Sequence, residues 1–342
     1  MSTTLYNTGL AEQIDSTLVQ EAMALIGPAQ RIALLAHEHP DGDCLGSALG
    51  FAHILQAMGK VCVPACADPA PKSFAFLPGI ETLQNTLGDE CFDLVIALDA
   101  GELTRYGPLY EHHRTFLDSI TILNMDHHIS SHGCGQVNII DPASAATAEL
   151  LILFQQQAQL PLNTDAATCL LTGIITDTAS FQHTSTTPRT LEVGAVLLRT
   201  GAIPETIARP IFRTQPLAQM RFRSLVIEKA QTACDGQLIW SYTNDEMLAA
   251  TGATADMDDN FSGTLRDVEG VKIAVLFKGY GDQQSTRLSI RSAEPYNAAE
   301  ICERFGGGGH ARAAGATLPL TLNDAMCRVI AELEQEIRKQ KS

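Results

Sequence analysis

Positive charge and aromatic surface are both scarce in this chain. Only 23 of its 342 residues are Lys or Arg, against 39 Asp or Glu, for a net charge of −16. A protein this acidic does not coat duplex DNA or RNA, because wide nucleic-acid footprints need many Lys and Arg. A short anionic substrate stays open to it if a metal or a local basic cluster inverts the potential. Aromatic residues make up 6%, with a single Trp, Trp240, and six Tyr, so no aromatic-rich basic stripe exists to stack successive bases. No run of 18 apolar residues occurs, which argues against a spanning helix. The N-terminal stretch has no basic segment and no apolar core, so an ordinary secretory signal is not expected. Paired CxxC spacing is also missing. The nine cysteines are an odd count and scattered. Cys62 and Cys66 lie in the apolar run VCVPAC, where buried small side chains are a better reading than a zinc site. Reduced thiols and a cytoplasmic location are the expectation. Internal repeats and low-complexity tracts are absent.

What remains is globular composition, 45% hydrophobic and 18% charged. The length calls for two domains. Residues 11–27 carry apolar positions at helical spacing, Ile14, Leu18, Ala22 and Leu25. Short apolar runs at 31–36, 61–65, 92–98 and 120–125 suit buried parallel strands. Helical spacing returns at 46–58, 146–157 and 191–200. This alternation predicts a doubly wound α/β domain. Gly201, Pro204, Pro210 and Pro216 mark a boundary and linker. Beyond it, strands are predicted over 238–243, 271–279 and 285–292, and helices over 298–305 and 322–339, which is a smaller α+β domain. The expected division is 1–200, a linker over 201–216, and 217–342, with the active site in the cleft between the domains.

Chemistry concentrates in four short segments. His37-Glu38-His39-Pro40-Asp41-Gly42-Asp43 follows a predicted strand and precedes a predicted helix, the place where open α/β sheets bind ligands. His37, Asp41 and Asp43 are hard or borderline ligands for Mn²⁺, Mg²⁺ or Zn²⁺. Asp41 and Asp43 are separated by one flexible glycine, so each carboxylate can serve a different cation. The competing reading is a helix start in which Asp43 merely caps. Asp99 closes the run FDLVIAL, where an acid is costly unless a cation or donors meet it. Asp126-His127-His128 closes another strand. Asp177, in GIITDTASF, is expected at a fourth strand-to-loop junction. Carboxylates this dense would raise one another's pKa values unless cations neutralise them. Two divalent ions sharing a bridging carboxylate meet that demand, and a pair about 3.5–4 Å apart suits attack of hydroxide on a phosphorus ester.

A fifth segment is Gly306–Gly309 before His310. Its exposed backbone N–H groups and freedom at positive φ would let a loop wrap an anion. Arg291 and Ser292 precede it on a predicted strand, and Arg suits bidentate phosphate contacts. Arg287 reads as a solvated strand charge and Arg105 as a surface residue. His39 is a second imidazole that the loop does not need.

HEHPDGD-CLGS, LDAGE, MDHH and GIITDTASF resemble the ordered motifs of the DHH phosphoesterase superfamily. RLSIRS and FGGGGHARAAG resemble its DHHA1 substrate-binding domain, and the similarity spans about 15–335. The two-domain layout is similar to the bacterial oligoribonuclease and pAp-phosphatase branch. That resemblance implies a DHH domain with two Mn²⁺ per chain, Mg²⁺ or Co²⁺ being the other options, and a DHHA1 domain that holds substrate. It implies one ion on His37, Asp41 and Asp99, and the other on Asp43, Asp99, His127 and Asp177. Asp126 would orient a neighbouring imidazole, and His128 would face the phosphate. Arg291, Ser292, Gly307, Gly308, Gly309 and His310 would bind nucleotide. His39 stands where the family often has Asn, and Ser131 or His132 where an Asn often follows the DHH motif.

The implied activity is hydrolysis of short RNA oligonucleotides to mononucleotides, together with removal of the 3′-phosphate of adenosine 3′,5′-bisphosphate (pAp). The alternatives are a linear or cyclic dinucleotide phosphodiesterase, a polyphosphate or pyrophosphate hydrolase, and a non-enzymatic nucleotide sensor. The expected partners are short RNA and pAp, with no long duplex and no membrane, and with homodimerisation as an option.

Overall fold

The structure, a computed structural model, describes residues 14–88, 91–258, 260–281 and 284–340. Residues 11–13 of the predicted first helix lie outside the described residues, as do residues 1–13 of the expected first domain and 341–342 of the second. The chain divides into two compact units, Met1–Thr214 and Gln215–Ser342.

In the first unit, strands β1 (Arg31–Leu35), β2 (Val61–Ala65), β3 (Leu94–Leu98), β4 (Ile122–Asp126) and β5 (Val137–Ile140) form one parallel sheet in the order β2-β1-β3-β4-β5. Every residue of β3 is buried, as a strand covered on both faces requires. The helices are α1 (Ser16–Ile26), α2 (Gly42–Ala57), α3 (Pro108–Leu117), α4 (Thr147–Gln157), α5 (Thr164–Asp177), α6 (Pro188–Thr200) and α7 (Pro204–Ala208). β2 lies on one side of β1 and β3 on the other. The winding direction therefore reverses at β1, and the crevice at the carboxyl ends of β1 and β3 is where such sheets bind ligands.

Helix α5 corrects one expectation. Asp177 does not close a strand; it is the last residue of a 14-residue helix. That helix packs against α2, α4 and α6, so it is apolar nearly all round and shows no amphipathic stripe. Its contact with α2 depends on glycine. A Cβ on Gly46 would strike the Cys169 carbonyl, and one on Gly173 would strike Asp43 Oδ1. Their absence lets the two backbones approach closely and brings Asp43 toward Asp177. Within the segment 201–216, Ile207 of α7 is fully buried in the core of the first unit.

The second unit is a six-stranded sheet in the order β10-β11-β9-β8-β7-β6, made of β6 (Gln231–Ala233), β7 (Leu238–Asn244), β8 (Ile273–Gly279), β9 (Thr286–Ser292), β10 (Gly308–His310) and β11 (Ala313–Leu318). Only β7 and β8 pair in parallel. Its helices are α8 (Leu217–Glu228), α9 (Asp245–Thr251), α10 (Phe261–Arg266), α11 (Ala298–Glu303) and α12 (Leu322–Gln340). Ile273, Val275, Phe277, Leu288 and Ile290 form a core with residues of α11 and α12. Among the described residues, no helix is long and apolar enough to cross a membrane.

The glycine run differs from expectation. Gly308–His310 is an edge strand paired with β11, not a free loop. A Cβ on Gly307 would strike the Gly315 carbonyl, and one on Gly309, at φ +146°, would meet Ala314 Cα at 2.6 Å. Close strand contact accounts for these two glycines.

Candidate active site

Three strand ends and two helices bring the predicted side chains together. Asp41 is the N-cap of α2: its Oδ1 accepts from the Asp43 and Cys44 amides, both at 3.0 Å. Capping thus falls to Asp41, not Asp43, and Asp41 Oδ2 still faces His37 Nε2 at 3.8 Å. Asp99 follows β3 in the left-handed region, at φ +60°. That costs on the order of 1 kcal/mol for a residue with a Cβ, and Asp is among the residues that tolerate it. Asp99 is 3% exposed. Its Oδ2 lies 3.5 Å from His37 Nε2, and its Oδ1 lies 3.6 Å from His127 Nε2. One carboxylate therefore faces two imidazoles with two different oxygens.

His127 Nε2 also lies 3.2 Å from Asp177 Oδ2 and 3.9 Å from Asp43 Oδ2. The Nδ1 atoms of both histidines are held by carbonyls, His37 by Glu38 at 2.8 Å and His127 by Ser144 at 3.2 Å. Those bonds fix the ring orientation and leave Nε2 directed at the carboxylates, as cation ligands require. Donor atoms of Asp43, His127 and Asp177 all lie within 4.8 Å of one another, as do those of Asp99, His127 and His128.

Electrostatics agree with this reading. Burial, then Asp99 and Asp177, pushes the Asp43 carboxyl well above its usual range, and burial raises that of Asp177. Burial alone would lower His37, but its hydrogen bond with Asp99 and the surrounding charges raise it to about 9. His127 is raised likewise, with Asp177 as the main cause acting against burial. Without a cation, the cluster balances its negative charge by retaining protons. The donor set, buried carboxylates and oriented imidazoles with neutralisation demanded, fits divalent cations.

His128 is at the exposed edge of the cluster, with its side chain 48% exposed and its Nδ1 3.8 Å from Asp99 Oδ1. Its Nδ1 donates to Asp126 Oδ1 at 2.7 Å, and the same oxygen accepts the His127 and His128 amides at 2.8 and 3.2 Å. The bond to Asp126 raises the His128 pKa. Burial would raise Asp126, but the hydrogen bonds from His128 and Ser131 and the His128 charge together outweigh it and hold the carboxyl below its usual range. An imidazolium steadied by a buried carboxylate can meet a phosphate oxygen.

His39 is turned elsewhere. It sits at φ +54°, and its Nδ1 lies 3.1 Å from Asp68. Arg105 is exposed.

In the second unit, Arg287, Ser289 and Arg291 share one face of β9, because side chains alternate along a strand. Ser292 is on the other face. It is 5% exposed, and its Oγ donates to the Tyr296 and Ala311 carbonyls. That removes Ser292 from the surface shared by the other predicted contacts. Register runs Arg291 to Ala313 to His310 across β9, β11 and β10, so Arg291 and His310 lie in one row on one face. Gly308 and Gly315 lie in the next row. These small residues leave the face open, and a cavity of about 280 Å³ is lined by Lys278, Arg287, Ser289, Arg291, Gly308 and Gly309. Arg287, read from sequence as a solvated charge, lines it.

Sequence reasoning missed Thr147, whose amide donates to Asp43 Oδ2 at 2.6 Å and whose hydroxyl donates to Asp99 Oδ1 at 2.8 Å. The Ala148 amide adds a bond to Asp43 Oδ1 at 3.0 Å. The first turn of α4 therefore aims its free N–H groups at Asp43. The predicted helix start at 146 was the available signal; its partner, more than 100 residues away, left no trace in local sequence. Cys44 was also missed: its Sγ lies with His37 and Asp41 inside 4.8 Å, but burial keeps it a thiol.

Fold and site together define an α/β framework with a donor set that fits divalent cations at a topological switch point. The DHH family, N-terminal domain, matches residues 31–174, and the DHHA1 domain matches residues 241–339. The bifunctional oligoribonuclease and PAP phosphatase NrnA of Thermus thermophilus is 33% identical, with 94% of each chain covered. The protein of that name from Bacillus subtilis is 25% identical, covering 92% of this chain and 97% of its own. The cyclic-di-AMP phosphodiesterase PdeA of Listeria monocytogenes is 27% identical over 96% of this chain, but only half of the PdeA chain is matched. An exopolyphosphatase-related protein from Bacteroides fragilis shares the fold, with a TM-score of 0.85, 21% identity, and 96% and 97% of the two chains covered. The chain belongs to the DHH family, carries a DHHA1 domain after it, and is a phosphoester hydrolase.

Proposed function

We propose that this chain degrades short RNA oligonucleotides to mononucleotides and removes the 3′-phosphate of pAp, using two Mn²⁺ per chain. The observation that carries the reading is Asp99, whose two oxygens face His37 and His127 separately, as a carboxylate shared between two cations would. His37, Asp41 and Asp99 would hold one ion, and Asp43, Asp99, His127 and Asp177 the other. When bound, the ions supply charge neutralisation and activate water toward phosphorus. The chain's own groups orient and stabilise. Thr147 holds the Asp43 and Asp99 carboxylates in place. Asp126 steadies the His128 imidazolium, which meets the negative charge growing on the phosphoryl oxygens. Arg291 and His310, from the substrate-binding unit, pair with a terminal phosphate of the nucleotide. The catalytic unit would end near residue 200 and the substrate-binding unit begin near 217, with the connecting segment packed on the first unit through Ile207. Nine free cysteines favour a reducing compartment, and we assign the protein to the cytoplasm.

A second reading, a linear or cyclic dinucleotide phosphodiesterase, is favoured by the activity for which the Listeria relative is named. One substrate panel separates them: pAp, pApA, cyclic-di-AMP, RNA of about 2–5 nucleotides and pyrophosphate, each with Mn²⁺ and with EDTA. Turnover of pAp and short RNA, lost in EDTA and reduced by orders of magnitude in Asp99→Asn, is the expected result. Turnover confined to the dinucleotides supports the second reading. Near-normal Mn²⁺ turnover in Asp99→Asn overturns the metal assignment.

A further inference from the structure

Arg189 belongs to none of the predicted site segments, yet a chain of contacts runs from it to the cation ligands. It lies in the first turn of α6, where Thr187 and Thr190 form a reciprocal capping box that anchors the helix start. The Arg189 side chain is nearly buried and forks. Its Nε bonds Glu149 Oε1 at 2.7 Å, and its Nη2 bonds Asp141 Oδ2 at 2.9 Å and Ser144 Oγ at 3.1 Å. Glu149 is fully buried in α4 and reaches back to the Ala145 amide at 3.1 Å. Asp141 is tied further, through its own amide, to the Asp126 carbonyl at 3.0 Å and, through Oδ2, to the Ser144 hydroxyl at 2.7 Å.

Arg189 therefore grips both ends of the loop 141–145. That loop ends in the Ser144 carbonyl that sets His127 Nδ1, and it leads into the first turn of α4, which donates to Asp43 and Asp99. We infer that Arg189 is a positioning residue for the cation site, acting through Asp141 and Glu149 on three ligands it does not touch. Its fork is the reason Arg is needed: Nε and Nη2 point to different carboxylates, and a single ammonium cannot reproduce both contacts. The inference rests on the metal reading of the site.

The test is direct Mn²⁺ binding to the full chain, followed by electron paramagnetic resonance titration, with the melting temperature measured alongside. Outer partners of metal ligands typically set about 10–100-fold in affinity. Arg189→Lys is expected to lose that much while remaining folded. Asp141→Asn keeps the buried Arg189–Glu149 pair and weakens only the branch to the loop, so a smaller loss is expected there; it also decides the matter if the Arg189 variants fail to fold. Arg189→Gly is expected to regain Mn²⁺ binding when guanidinium is added at millimolar concentration. Folded Arg189→Lys and Asp141→Asn proteins that bind Mn²⁺ as tightly as the wild type would overturn the inference alone. A wild-type chain that binds no divalent cation would overturn the metal reading, and the inference with it.

Discussion

The Thr147 hydroxyl donates to Asp99 Oδ1 at 2.8 Å inside a fully buried pocket, while the same residue's amide donates to Asp43 Oδ2 at 2.6 Å. One residue at a helix start thus holds two carboxylates, one in the first turn of α2 and one directly after β3. Thr147→Val keeps the shape and the amide bond but leaves Asp99 short of a donor. Mn²⁺-dependent kcat/KM should fall about 10–100-fold, with Thr147→Ser close to wild type. Unchanged kinetics in Thr147→Val would show that Asp99 needs no such support.

Cation binding should release protons. His37 in the metal-free chain is raised to about 9, against burial, mainly through Asp99. A raised histidine pKa stabilises the metal-free fold fully below the ordinary value of about 6.5, and the contribution is lost as pH climbs through about 9. A cation at Nε2 requires the neutral imidazole, so Mn²⁺ affinity should tighten as pH rises toward about 9 and level off above it. Calorimetry near neutral pH in two buffers of different ionisation enthalpy counts the protons released. A count of zero contradicts the assignment of His37 as a ligand.

Gly173→Ala tests the helix contact that brings Asp43 and Asp177 together. The added methyl would strike Asp43 Oδ1 and come within 2.7 Å of the Ala148 Cβ. Overpacking of this kind costs about 1–3 kcal/mol. Activity should fall by more than the stability loss explains, because the displaced atom is a proposed ligand oxygen. Measuring Mn²⁺ content and melting temperature on one sample separates the two effects; a destabilised variant with normal metal content and turnover would refute the proposed coupling.

Arg291→Ala and His310→Ala should leave Mn²⁺ binding intact, since both residues belong to the second sheet and are remote in sequence from every proposed ligand. Loss of a phosphate-pairing group is expected to cost about 2 kcal/mol or more in kcat/KM, about 30-fold. Either variant losing its metal while folded would break the proposed division of labour. Arg287 lies four residues from Arg291 on the same face, roughly 13 Å along the strand. Arg287→Ala should therefore weaken turnover of a tri- or tetranucleotide more than that of pAp.

Substrate length follows from charge. With a net charge of −16, the body of the protein repels long polyanions within a screening distance of about 8 Å. A length series of labelled RNA, from about 2 to about 24 nucleotides at fixed salt, should show kcat/KM highest below about 6 nucleotides. Equal efficiency at the long end would mean an extended groove along the chain.

Much of the candidate site was legible because its residues sit where local sequence leaves a mark. His37, Asp99 and Asp126 each end or directly follow an apolar run that folds as a buried strand, and a polar group closing such a run is conspicuous. The reading of β1 to β4 was sound for the same reason, burial of their runs in the sheet, whereas β5, β6, β10 and β11 were not read as strands. Asp177 was found as a residue and misplaced as an element, because a helix buried all round loses the periodic stripe that distinguishes it from a strand. Ser292 was assigned from the DHHA1 resemblance together with Arg291, yet adjacent residues on a strand face opposite sides.

The sequence by itself determined which groups the chain could bring to a cation and where β1, β3 and β4 end, since both depend on composition and local hydrophobic pattern. Tertiary structure decided how those groups are held. Thr147 meets Asp43 and Asp99, and Arg189 grips Glu149, Asp141 and Ser144, across separations of 40 to 104 residues. Contacts of that range arise from the parallel winding of the sheet and the close approach of α2 to α5. Each donor in them is an ordinary Thr or Arg whose own surroundings in the sequence look like any other helix start.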